Sequence, residues 1–199
     1  MVTGGFQFNR ERTQAGMGQV VQVNKTALAQ AIRQAAYLTG TFQRRSGQTS
    51  SVYWDKYRFE SDPQLLSAVA AELEGLLPST AFVRIAGLEL GGVPLATALA
   101  LRIGKPCLFV RKVAKDYGTM NLVEGGFQPG DKTVVIEDVI TTAGQVVSSI
   151  RQMRGLGLVI DQVLCVIDRQ LCCGRLVITR ASGGACFVTY PLHVGWDVV

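Results

Sequence analysis

Residues 133–145 read Thr-Val-Val-Ile-Glu-Asp-Val-Ile-Thr-Thr-Ala-Gly-Gln. An apolar, β-branched run leads into two adjacent carboxylates, Glu137 and Asp138, and the hydroxyls of Thr141 and Thr142 follow. That order predicts a strand, a turn and a helix N-terminus. At the end of a buried strand the two acids cannot both hide, because alternation sends successive side chains to opposite sides unless the chain turns. Two fixed acceptors side by side suit the vicinal hydroxyls of a ribose. Beyond them, Thr141, Thr142, Ala143 and Gly144 can offer successive backbone N–H groups to a phosphate without using a lysine. The stretch reads as a ribose-phosphate cradle, which requires an open hollow above the acids. Spacing alone is equally compatible with a buried strand ending in an Asp-capped turn.

These residues need a scaffold that brings distant segments to one edge. Leu28, Ala31, Ile32, Ala35 and Leu38 recur at helical spacing over residues 25–38, with Asn24 placed to cap. Residues 50–55 are strand-like and aromatic, and Ser61-Asp62-Pro63 opens a helix faced by Leu66, Val69, Ala70, Leu73 and Leu77. A strand over 82–86, a helix opened by Pro94 and closed by Gly104, and a strand over 107–110 follow. After the central stretch come a helix through 148–156, a strand over 163–167 and a weaker strand over 186–190. Strands alternating with helices predict an α/β fold, a largely parallel sheet with helices on both faces.

In such a sheet, ligands sit beyond the carboxyl ends of the strands. Glu89 with Gly91-Gly92, Arg111-Lys112, Glu137-Asp138 and Arg169 all fall there. Gly91-Gly92 can turn backbone N–H groups toward an anion, though the pair is also an ordinary strand-to-helix connector. Residues 111–132 form a long, glycine-containing insertion bearing Arg111, Lys112 and Lys115, suited to a lid over an anionic ligand or to a solvated basic loop. Tyr53-Trp54 can stack on a planar base, or serve as a core aromatic pair. Neither Gly-x-x-x-x-Gly-Lys-Ser/Thr nor Gly-x-Gly-x-x-Gly occurs, which excludes those two phosphate-binding loops.

Composition narrows the class. A chain of 199 residues with 48% hydrophobic content fits one domain with a full core. Residues 1–23 are expected to form a poorly ordered arm, and 24–199 the single domain. The net charge of +5 is scattered rather than gathered into a stripe, which favours small phosphorylated ligands over nucleic acid. Five cysteines, an odd number without Cys-x-x-Cys spacing, and a lone histidine, His193, argue for a reducing compartment and against a thiolate metal site. No apolar run approaches a membrane span and no hydrophobic signal core opens the chain, so a cytoplasmic location is expected.

Residues 134–144 resemble the phosphoribosyl-pyrophosphate (PRPP) signature of type I phosphoribosyltransferases. Together with Arg-Lys-Val-Ala-Lys-Asp-Tyr-Gly at 111–118, Gly-Leu-Glu-Leu-Gly-Gly-Val-Pro-Leu-Ala at 87–96, Ser46-Gly47, Tyr53-Trp54-Asp55 and Asp168-Arg169-Gln170, the chain is similar to the orotate branch of that family. The resemblance implies an open, mostly parallel sheet with a small hood, from 24–60 and part of 170–199, and a flexible lid over 111–132. It implies transfer of phosphoribosyl from PRPP to orotate, with magnesium held mainly by substrate and water and no direct protein ligand. Glu137 and Asp138 would hold the ribose hydroxyls, and Val139, Ile140, Thr141, Thr142, Ala143, Gly144 and Gln145 would wrap the 5′-phosphate. Arg111, Lys112, Lys115 and Tyr117, with Glu89, Gly91 and Gly92, would meet the pyrophosphate. Arg45, Tyr53, Trp54, Thr141 and Arg169 would face orotate. The implied assembly is a homodimer in which the catalytic Lys115 crosses to the neighbouring subunit's site, with no nucleic-acid or membrane partner.

Four departures stand out. Tyr117 replaces the usual lid histidine, Val113 an acidic residue, Gln145 a Ser or Thr, and Leu171-Cys172-Cys173 the common Glu-Gly-Gly. They keep open two alternatives: a phosphoribosyltransferase for another base such as a purine, and a nucleotide-sensing protein without turnover. The retained Glu137, Asp138 and Lys115 count against the second.

Overall fold

The computed structural model describes residues 25–43, 47–113, 121–140, 144–168, 178–181 and 185–189. Helix α1 (Lys25–Ala36) buries Leu28, Ala29, Ile32 and Ala36 on one face. It ends before the predicted residue 38 because Tyr37 and Leu38 pair with Tyr53 and Trp54. That pairing makes strand β1 (Tyr37–Gln43) run antiparallel to β2 (Thr49–Trp54). β1 carries no clean alternation, so only its partner identifies it. A short helix α2 (Tyr57–Glu60) leads to α3 (Pro63–Gly75). There Asp62 caps as predicted: its Oδ1 accepts from Gln64 N at 2.8 Å and Leu65 N at 3.0 Å, and Pro63 occupies the first turn.

Strand β3 (Arg84–Leu88) starts and ends two residues later than predicted, since Gly87 and Leu88 find partners in Phe109 and Val110. Helix α4 (Gly92–Ile103) begins ahead of Pro94, which sits inside its first turn where a missing N–H costs nothing. Gly104 closes it in the left-handed region, φ 66°. Strand β4 (Cys107–Val110) agrees with the sequence reading, whereas β5 (Val123–Glu124), inside the predicted lid, was not expected. Two residues become a strand only by adding antiparallel to β4. Strand β6 (Lys132–Ile140), helix α5 (Gly144–Gly155) and strand β7 (Val159–Asp168) form the centre; β8 (Ile178–Ala181) and β9 (Ala185–Thr189) complete the sheet.

The main sheet has the order β5-β4-β3-β6-β7-β9-β8. Its five inner strands are parallel, and β5 and β8 are antiparallel edges. Alternation within the strands builds two cores. Ile85, Val134, Ile136 and Leu164 pack with α1, α3 and α4, while Ala86, Leu108, Val135 and Val163 pack with Val146, Ile150 and Met153 of α5. The predicted mostly parallel sheet between helical layers is therefore the observed one. Within residues 24–60, α1 belongs to the first core and the β1–β2 hairpin forms a separate two-stranded sheet.

Candidate active site

Strand β6 does not stop at Ile136. It runs on through both acids, with Glu137 opposite Cys165, Val139 opposite Ile167 and Ile140 opposite Asp168. The expectation that the two acids cannot both hide is overturned: both are buried, and Asp138 is 0% exposed. The cause is a segment distant in sequence. Phe59 of α2 is fully buried in the first core, and it draws the turn before α2 onto the end of β6. Lys56 on that turn forms an ion pair with Asp138 Oδ2. Glu60, at the end of α2, is 4% exposed, and neither of its oxygens meets a donor. Among the described residues, this cover leaves no opening to the Asp138 side chain. Geometry alone would favour the plain reading of a buried strand end.

Val139 and Ile140 are likewise corrected. They continue β6 rather than the phosphate turn, because β7 extends far enough to pair with them. The Val139 amide donates to Asp138 Oδ1 at 2.6 Å, and Ile140 is buried in the α5 core. Of the predicted phosphate-turn residues beyond them, Gly144 and Gln145 open α5 and are exposed.

The three carboxyls cannot all ionise in one buried cluster. Burial pushes Glu137 up to about 9, helped by the hydrogen bond and charge of Asp138. Burial likewise pushes Glu60 up to about 8, with the Asp138 charge adding to it. Burial acts to raise Asp138 too, but hydrogen bonds from Glu137 and Lys56 and the lysine's charge outweigh it and hold this carboxyl below its ordinary value. Lys56 loses solvation, yet its partner Asp138 keeps it more basic than usual. The cluster thus carries one carboxylate, one ammonium and two neutral acids near neutral pH. A neutral Glu60 carries no charge for a donor to balance, which fits the lack of a donor at its oxygens. Beneath it, the buried Cys165 thiol donates to the Asp138 carbonyl at 3.6 Å and to the Ile167 carbonyl at 3.1 Å; burial raises it well above the ordinary thiol value.

The β3–α4 turn presses on the same strand end. A Cβ at Gly92 would run into the Ile136 carbonyl, and one at Gly91 would collide with the Asp138 carboxylate and lie 2.9 Å from Glu60 Oε1. Glycine is needed at both positions for close approach. Glu89, in this turn, points to the base of the predicted lid, where its Oε2 accepts from Lys112 N at 3.0 Å. Arg111 Nε lies 3.4 Å from Glu124 Oε1, and Arg111 N donates to the Leu122 carbonyl at 2.9 Å. The start of the lid is thereby tied to the β3–α4 turn and to residues 122–124 within the lid itself.

Tyr53 and Trp54 separate as strand neighbours do. Tyr53 is 50% exposed and stacks on Phe42 at 5.4 Å, whereas Trp54 packs against the first core, edge-on to Tyr37 at 5.6 Å. Arg45, Lys115, Tyr117, Thr141, Thr142, Ala143 and Arg169 lie outside the described residues. Sequence reasoning missed Lys56 and Glu60. Their spacing is that of an ordinary solvated i,i+4 pair, and only the neighbouring apolar Phe59 hinted that the turn is drawn inward.

No protein-family model matches the chain. It is 51% identical over 142 residues to the orotate phosphoribosyltransferase of Nocardioides sp., covering 71% of this chain and 79% of that protein. It is 40% identical over 146 residues to the orotate phosphoribosyltransferase of Methanocella arvoryzae, covering 73% and 83%. Among solved structures, the orotate phosphoribosyltransferase from Aeropyrum pernix matches with a TM-score of 0.65 at 33% identity, over 81% of this chain and 91% of that one.

Proposed function

We infer the reaction from one premise: the chain belongs to the orotate phosphoribosyltransferase family. It has the type I phosphoribosyltransferase fold, and it transfers the phosphoribosyl group of PRPP to orotate, giving orotidine 5′-monophosphate and pyrophosphate in pyrimidine biosynthesis. The observation that carries the assignment is the 51% identity to a named orotate enzyme across 142 residues. The acids at the C-terminal end of the central strand fit the same reading.

Displacement of pyrophosphate by the orotate ring nitrogen passes through an oxocarbenium-like sugar, so positive charge grows on the ribose and negative charge on the leaving group. Asp138 and Glu137 serve the ribose in our reading. Asp138 can accept from sugar hydroxyls at the positions its present donors vacate, and a neutral Glu137 can donate as well as accept. Binding there requires the Lys56–Glu60 cover to part from Asp138. Thr141, Thr142, Ala143, Gly144 and Gln145 take the 5′-phosphate at the start of α5, where exposed amides favour an anion. The β3–α4 turn, Arg111, Lys112, Lys115 and Tyr117 serve the pyrophosphate. Arg45, Tyr53, Thr141 and Arg169 serve orotate, where a guanidinium can pair bidentately with the carboxylate.

Magnesium belongs to this proposal as an ion that arrives with PRPP and neutralises the leaving group. In this reading its ligands are oxygens of pyrophosphate, ribose and water, as suits an ion that sheds its hydration shell reluctantly. A homodimer that shares Lys115 between sites, and a cytoplasmic location, complete the proposal. No helix among the described residues is long and apolar enough to cross a membrane.

The test is turnover. Purified protein with PRPP, magnesium and orotate depletes orotate absorbance. No depletion with orotate, but product with adenine or hypoxanthine, would move the assignment to a purine enzyme.

A further inference from the structure

We propose that Lys56 is a positioning residue for the ribose-binding acids: carried on the turn before α2, its ammonium keeps Asp138 an acceptor-only carboxylate between two competing acids, ready for a sugar hydroxyl. The proposal rests on the phosphoribosyl-transfer reading above.

Geometry isolates Lys56 for this role. Its ammonium is paired with Asp138 Oδ2, while the opposite oxygen takes the Val139 amide. Among the described residues, carboxyls and a thiol rather than cations stand on the other sides of Asp138. Glu137 precedes it on β6, with the Asp138 amide donating to Glu137 Oε1 at 3.2 Å. Glu60 faces it from α2 and Cys165 from β7. The β3–α4 turn contributes the Gly91 backbone. Asp55 adds negative charge beside Glu60, and Tyr57 lies under the ammonium with its ring centroid at 5.3 Å. Without Lys56, Asp138 becomes one of three buried carboxyls with no other cation beside them among the described residues. A proton then spreads over the group, and Asp138 loses its acceptor character part of the time. A protonated carboxyl is a poorer partner for a hydroxyl that must donate to it. The Lys56 side chain is 30% exposed, on a flexible stem, so it can slide aside for the sugar while its charge stays near.

The experiment follows kcat/KM for PRPP against pH, which reports groups of the free enzyme. Compared with wild type, Lys56→Met moves the acidic limb upward by about one to three pH units. Lys56→Arg, which keeps the charge, stays close to wild type. Adding Glu60→Gln to Lys56→Met brings the limb partly back, because one competing acid is gone. A Lys56→Met enzyme that loses activity by the same factor at every pH, or whose loss Glu60→Gln does not relieve, overturns the proposal and leaves Lys56 a fold contact. A second measurement needs no turnover: carbon-13 carboxyl shifts of the ligand-free chain report when Asp138 titrates. A titration unchanged by Lys56→Met overturns the charge role directly. A wild type that does not turn over orotate with PRPP overturns the functional reading and with it the sugar-binding role, while the carboxyl titration still decides the charge role.

Discussion

Gly91→Ala probes the closest approach in the site. The Gly91 backbone has φ −67° and ψ −30°, ordinary right-handed values, so alanine brings no backbone strain. Its loss of unfolded-state freedom would even stabilise by about 0.4–1 kcal/mol. All of the penalty is steric, since the new Cβ collides with the Asp138 carboxylate and lies 2.9 Å from Glu60 Oε1. Overpacking of this kind costs about 1–3 kcal/mol. Loosening the Lys56–Asp138 pair adds about 1 kcal/mol once the lysine's partial exposure is discounted. The net loss is about 1–3.6 kcal/mol, or roughly 2–14 °C in Tm for a chain of this length. Displacing Asp138 by an ångström should also lower kcat/KM by about 10²-fold. Thermal unfolding and steady-state rates measure both. Gly126→Ala is the control, because a Cβ there meets nothing within 4 Å. A Gly91→Ala protein indistinguishable from this control would refute the claim that the turn and the acid are packed against each other.

Three further outcomes follow from the same structure. Asp62→Ala removes the cap of α3 and should cost about 1 kcal/mol, read as a drop of roughly 2–4 °C in Tm with kcat unchanged. Glu60 and Glu137 have folded-state values raised from 4.5 to about 8 and about 9, so the folded chain binds more protons than the unfolded one in that window. Their contribution is complete below pH 4.5 and is lost as pH rises through 8 to 9, whereas that of Asp138, lowered from 3.8, is lost on acidification below that value. Tm should therefore fall between mildly acidic and mildly alkaline buffer, and fall less in Glu60→Gln; an equal fall in both proteins contradicts the assignment. Lys115→Ala should collapse turnover while sparing PRPP affinity, whereas Asp138→Asn should weaken PRPP binding itself. Equal, negligible effects on kcat and Kd would remove both residues from the mechanism.

Much of the candidate site was legible because its signals are local. Adjacent Glu137-Asp138 after a β-branched run, Gly91-Gly92 before a helix, and the basic group opening the 111–132 insertion each mark a strand's carboxyl end by residue type alone. A parallel sheet then brings all of them to one edge whatever the details of packing. The less local features were not: Tyr53 and Trp54 are adjacent in sequence, but neighbours on a strand point to opposite sides, so Tyr53 is half exposed while Trp54 packs against the first core.

The sequence by itself determined the alternation of strands and helices, the Asp62-Pro63 start of α3, the left-handed stop at Gly104 and the family signature, since periodicity, capping and backbone freedom act within a few residues. Tertiary structure alone decided that β6 continues past its acids, that two-residue β5 is a strand, and that Lys56 and Glu60 cover Asp138. Strand length depends on what a neighbouring strand offers to pair with, and the ionisation of a carboxyl depends on which charges packing brings beside it. Phe59 entering the core delivers a lysine and a third acid to the buried Asp138 carboxylate, and no local pattern around Glu137 or Asp138 could announce them.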